Sequence, residues 1–223
     1  MPGKRFLYTL TTKITKMHTH SKETQSSLTP DLALEILKEG NERFVKNLKA
    51  NRNLLQQVNE TSKGQFPFAT ILSCIDSRTS AELIFDQGLG DIFSIRIAGN
   101  ILNEDILGSM EFATKLVGTK IILVLGHTKC GAIAGACNHV EMGNLTTLLN
   151  KIQPAIYNEK TTIENRDGSN ESFVKNVTEL NVFLTIDRIK RESPIIAELE
   201  QQGAIKIIGG LYNVDTGIVT FYK

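Results

Sequence analysis

"FPFATILSC", residues 66–74, is a short, nearly all-apolar run that ends on a thiol. A strand with one wet face alternates apolar and polar residues. This one does not, so it predicts a strand covered on both faces, as in a parallel sheet flanked by helices. "KIILVLGH", residues 120–127, repeats the pattern and runs out into His127, with Cys130 following in the next turn. The first strand end carries no Gly, Pro or Asn of the kind expected of a simple turn. In an open parallel sheet, ligands bind beyond the carboxyl ends of the strands, which is where Cys74 and His127 fall.

The rest of the chain is read outward from these two strands. "DIFSIRIAG" (91–99) predicts another strand, and "NEDILGSMEFATKLVG" (103–118) a helix stopped by Gly118. "GAIAGACNHV" (131–140) opens a helix; residues 79–86, 143–157 and 170–192 are further helices. Upstream, Thr29 is placed to cap a helix whose first residue is Pro30, with Leu32, Ile36 or Leu37, Phe44 and Leu48 on one stripe and Gly40 interrupting it. "NLLQQVNETSKGQ" (53–65) reads as a polar connection and 158–172 as an exposed loop. "SPIIAELEQQGAIKIIGGLYNVDTGIVTFY" (193–222) predicts a short helix, a strand at 204–211, a turn through Asp215 and Gly217, and a closing strand at 218–222. Strands alternating with helices define an α/β fold: a mostly parallel central sheet with flanking helices and an antiparallel C-terminal edge strand. Residues 29–223 are expected to form a single domain and residues 1–28 a flexible N-terminal extension, not a signal peptide.

Composition narrows the function classes. The 223 residues carry a net charge of +1, which offers nothing to a nucleic acid. No apolar run approaches the ~18 residues that span a bilayer. Three cysteines do not make a disulfide framework in a chain of this length. They suit a reducing compartment, so a cytoplasmic location is expected, and cysteines there more often ligate metals or catalyse.

Cys74, His127 and Cys130 make a Cys₂His set suited to zinc, and three protein ligands leave the fourth position that catalytic zinc sites keep open. Asp76 and Arg78, two apart on extended backbone, share a face. They form either a structural ion pair or a carboxylate held beside the fourth zinc position, with Asp76 able to occupy the metal itself in a closed state. Cys137 has no partner motif and reads as a small buried hydrophobe. His18, His20 and His139 read as surface residues.

"CIDSR" (74–78) followed by "GHTKCGA" (126–132), with "RIAGN" (96–100) and "GSMEFA" (108–113) between them, resembles the β-class carbonic anhydrases. The resemblance runs from the helix near Thr29 to the last strand. It implies a zinc lyase that hydrates carbon dioxide reversibly to bicarbonate and a proton, by attack of a zinc-bound hydroxide that an Asp76–Arg78 dyad orients. It also implies substrate contacts from Gln65, Phe93 and the backbone of Gly131, and a homodimer or higher homo-oligomer whose N-terminal helices embrace the partner, with Gln65 acting across the interface. Phe112 stands where some members have tyrosine. Ile71 replaces the tryptophan of the branch that binds inhibitory bicarbonate, although Arg96 matches that site's arginine. Hydrolysis of CS₂ or COS on the same fold is the near alternative; a structural zinc or thiol-redox module is the distant one.

Overall fold

The computed structural model describes residues 19–222. Three helices open it: α1 (Lys22–Ser27), α2 (Pro30–Val45) and α3 (Leu54–Thr61). Then come β1 (Ala69–Ser73), α4 (Ala81–Ile84), β2 (Ile92–Arg96), α5 (Glu104–Glu111), β3 (Ile121–His127), α6 (Gly131–Cys137), α7 (Gly143–Asn150) and α8 (Gln153–Asn158). α9 (Glu171–Glu192), α10 (Pro194–Gln201), β4 (Lys206–Tyr212) and β5 (Val219–Phe221) complete the chain. The sheet order is β2-β1-β3-β4-β5, parallel throughout except for antiparallel β5. This is the architecture that the strand patterns predict.

The continuous apolar strands are explained by layers on both sides of the sheet. Ile71, Leu123 and Leu125 pack into a core with Ala33 and Leu37 of α2 and with Ile84 and Phe85. Leu72, Ile122 and Val124 face the other way, onto Met110 of α5, Val182 and Ile189 of α9, and Ile196 of α10. Both faces are therefore dry, and no polar alternation is possible. Thr29 Oγ1 accepts from Leu32 N, with Pro30 in the first turn, as the sequence predicts. α2 passes straight through Gly40, because the helix crosses the chain so closely there that a Cβ would lie 1.8 Å from the Phe85 carbonyl oxygen. Gly118 stops the 103–118 helix at φ 93°, after six π-helical residues, Phe112–Val117.

Four local expectations need correction. The 53–65 stretch is not a bare connection but holds α3, capped by Asn53 Oδ1 accepting from Gln56 N. Its apolar residues gave no helical stripe toward the core because Leu54 and Leu55 are 59% and 72% exposed. Residues 143–157 form two helices, because Pro154 sits in the first turn of α8 and cannot continue α7. Within the segment expected to be a flexible extension, residues 22–27 form α1, docked by Gln25 Nε2 donating to the carbonyls of Pro67 and Val117. Residues 1–18, including His18, lie outside the described residues. Finally, 158–172 is not simply exposed. Glu159 is buried there and accepts from the backbone amides of Thr161 and Thr162 and from Arg166. Burial pushes its carboxyl up, but the bonds from Thr161, Arg166 and Thr162 win and hold it at about 2.

Candidate metal centre

Parallel pairing sets Ser73 of β1 beside Leu125 of β3, so Cys74 and His127 leave neighbouring strands at nearly the same level. The chain then turns through Lys129, in the left-handed region at φ 55°, and enters α6 with Cys130 as its N-cap residue. The ligand atoms of Cys74, His127 and Cys130 lie within 4.8 Å of one another. Their residues are 4%, 1% and 1% exposed.

The donor chemistry of this cluster fits a divalent cation. His127 Nδ1 lies 2.9 Å from the Thr128 carbonyl oxygen, which can only accept, so Nδ1 carries the proton. Nε2 is then a bare lone pair, buried and without a hydrogen-bond partner among the described residues. A buried acceptor left unsatisfied costs about 1–3 kcal/mol unless something binds it. The Cys74 and Cys130 sulfurs are 4.0 Å apart, and all three cysteines are free. The hydrogen bond from Cys130 draws the Cys74 thiol down to about 4, with help from His127 and the amides of Asp76 and Gly99. The same pairing, together with burial, pushes Cys130 up. Two buried thiolates beside an imidazole lone pair need positive charge between them to coexist.

Asp76 stands next to the cluster, its Oδ2 3.9 Å from His127 Nε2. It is held by Arg78 in a fork: Nε to Oδ1 at 2.9 Å and an Nη to Oδ2 at 2.8 Å. The hydrogen bonds from the Arg78 side chain keep the Asp76 carboxyl well below the usual carboxylate range. Arg78 is tied in turn to the Lys129 carbonyl at 3.4 Å. A cleft of about 410 Å³ opens onto Cys74 and Asp76, with Gly131, Ala132, Gly135, Val140, Leu145 and Leu149 among its walls.

Of the residues expected at the site, Cys74, Asp76, Arg78, His127, Cys130 and Gly131 come together within one chain. Gln65 and Phe93 do not. Gln65 is exposed and precedes β1, at the sheet end away from Cys74. Phe93 pairs with Thr70 early in β2 and leans on Phe112, ring centroids 6.3 Å apart. A strand rises about 3.3 Å per residue, which puts Phe93 roughly 10 Å short of the level of Arg96. Cys137 is buried beside Ile133 and Leu149, and burial pushes its thiol up to about 11. His20 rests edge-on against Phe68, with ring centroids 5.3 Å apart. Sequence reasoning missed the supporting roles of Thr79, Gly99 and Thr128; only "RIAGN" hinted at the second.

The fold and cluster define an α/β protein whose cysteine–histidine–cysteine set stands at the carboxyl ends of parallel strands. A family model described as "Carbonic anhydrase" matches residues 69–219. "Carbonic anhydrase 2" of Mycobacterium tuberculosis is 35% identical over 196 residues, covering 84% of this chain and 90% of that protein. The solved β-carbonic anhydrase CcaA shares the fold at TM-score 0.68 and 23% identity, covering 85% of this chain and 95% of that one. A structure described as a tetrameric β-carbonic anhydrase of Sordaria macrospora superposes at TM-score 0.65 and 23% identity, over 74% and 89% of the two chains. The chain belongs to the β-carbonic anhydrase family and is an enzyme of that kind.

Proposed function

We propose that the protein hydrates carbon dioxide reversibly at a zinc ion held by Cys74, His127 and Cys130, with Asp76 and Arg78 as the working dyad. The observation that carries this reading is the buried, unpartnered His127 Nε2 facing two thiols, with a carboxylate beside it turned toward Arg78. Zinc supplies Lewis acidity that brings the pKa of a coordinated water from about 15.7 toward ~7. Asp76 Oδ2 is positioned to accept a hydrogen bond from the attacking oxygen and so to aim its lone pair. Arg78 keeps that carboxylate ionised and directed away from the metal position. Gly131, first residue of α6, offers a backbone N–H with no intrahelical partner to an oxygen of the product. The mostly apolar cleft suits a small uncharged substrate. Water adds to the carbon, bicarbonate leaves and one proton passes to solvent. Free thiols support a cytoplasmic location. No helix among the described residues is long and apolar enough to cross a membrane.

Stopped-flow CO₂ hydration on metal-quantified protein is the direct test. Turnover should follow zinc content and exceed any hydrolysis of CS₂ or COS by the same preparation. Activity on CS₂ or COS alone would move the substrate assignment and leave the metal assignment standing.

Assembly enters through Gln65 and Phe93. We propose a homo-oligomer in which these residues complete the partner's site, since they lie far from the metal cluster of their own chain. Tetrameric relatives support this. Activity per chain should then fall on dilution in step with dissociation followed by sedimentation. Full activity in a monomer would defeat the shared site.

A further inference from the structure

We propose that Arg96 and Thr79 are positioning residues that brace the 74–79 turn and so hold the Cys74 sulfur and the Asp76 carboxylate in fixed relation. The turn carries a metal-ligand candidate and both dyad residues, yet it lies past the end of β1 and before α4, with no ladder or helix bonds of its own. Its carbonyls need other donors.

Arg96, the last residue of β2, sits level with Ser73. Its Nε donates to the Cys74 carbonyl at 3.0 Å and an Nη donates to the Asp76 carbonyl at 2.6 Å. Thr79, 1% exposed, points its hydroxyl at the same two carbonyls, at 3.0 and 2.9 Å. The Thr79 amide adds a bond to the Asp76 carbonyl at 3.0 Å. A hydroxyl has one proton, so Thr79 can donate to only one of the two carbonyls at a time. The guanidinium satisfies both at once, because its donors are fixed in a planar fork. It also reaches Thr79 Oγ1 itself, at 3.5 Å, which closes the brace.

This arrangement gives Arg96 a use on the backbone of the ligand turn. A surface arginine with only a structural role would support folding in general. A brace supports the relation of ligand to dyad, and it acts through Cys74 and Asp76 without touching substrate. Groups that orient metal ligands in this indirect way typically change metal affinity or activity by about 10- to 100-fold when removed.

The inference rests on the ligand assignment above, which zinc binding by the wild-type protein tests separately. Arg96→Met, Arg96→Lys, Thr79→Val and Thr79→Ser would be loaded with zinc. Release to a chromophoric chelator, kcat and KM, and the melting temperature of the metal-free protein would then be measured. Arg96→Met should release zinc about 10-fold faster or more and lose kcat by a similar factor, with KM little changed. Arg96→Lys, which keeps the charge but loses the fork, should fall between. Thr79→Val should show the same signature and Thr79→Ser should restore it, which keeps the test informative if Arg96→Met fails to fold. The metal-free melting temperatures should stay close to wild type. Wild-type release rates and kcat in both Arg96→Met and Thr79→Val would overturn the brace. So would a metal-free melting temperature that falls in proportion to the lost activity, since the residues would then serve folding alone.

Discussion

Zinc content should fall from about one ion per chain to near zero when Cys130 is changed to Ser, and CO₂ hydration should fall with it by roughly 10²-fold or more. The substitution is nearly isosteric, so the N-cap position of α6 and its packing are kept. What changes is the donor. A hydroxyl stays protonated and neutral at working pH, whereas the thiol becomes an anion once a cation arrives. The site would keep one thiolate and one imidazole, fewer protein ligands than zinc sites ordinarily hold. Cys74→Ala should behave alike, because its sulfur is the other half of the 4.0 Å pair. Cys137→Ala is the control: that thiol is buried elsewhere and is no member of the ligand cluster, so zinc should remain. Elemental analysis of purified protein reads the result. Full zinc occupancy in either Cys130→Ser or Cys74→Ala would remove the assignment.

Arg78→Ala should keep its zinc and still lose most of its CO₂ hydration. Arg78 holds both oxygens of Asp76 through three nitrogens, counting its own backbone amide at 3.0 Å from Oδ1. Without the side chain the carboxylate loses its fork and its counter-charge, and it lies 3.9 Å from His127 Nε2. It is then free to serve as a fourth ligand in the position that the reaction needs open. The loss of such an aimed group typically costs about 10²-fold or more. Arg78→Lys should recover only part of the rate, since an ammonium cannot hold two oxygens in a plane. Asp76→Asn should also retain zinc but lose turnover, because the amide no longer presents two equivalent acceptors. Stopped-flow rates beside metal content separate these outcomes. Near-wild-type turnover in zinc-loaded Arg78→Ala would reduce the dyad to a structural ion pair.

The site was more legible in the sequence than the segments around it, for a physical reason. Chemistry at a strand end demands particular atoms, so Cys74, Asp76, Arg78, His127 and Cys130 stand out wherever the backbone places them. Helix α3 demands little by comparison. Its cap, Asn53, was present in the sequence, but its apolar residues are exposed and drew no stripe. The knot at Glu159 was invisible because its bonds depend on how one loop folds back on itself, and a Glu among Thr, Asn and Asp looks like solvent-facing loop. Arg96 was read only as a match to the arginine of the inhibitory bicarbonate site, since nothing in a linear sequence shows that β2 ends level with Ser73.

What the sequence determined by itself was the two-sided burial of β1 and β3, the alternation that makes the sheet parallel, and the identity of the candidate ligands. Those follow from residue type and spacing, which act locally. The tertiary structure decided which of the candidates share a site. Register between β1 and β3 brings Cys74 to His127, the turn through Lys129 brings Cys130 to both, and Phe93, level with Thr70 on β2, stays at the other end of the sheet with Gln65, which precedes β1. It also decided the surroundings of each group: the Cys74–Cys130 sulfur contact joins residues from different strand ends, far apart in the chain, whereas the lone pair left on His127 Nε2 and the carboxylate held by Arg78 come from neighbours one and two residues away that the turns fold back onto them.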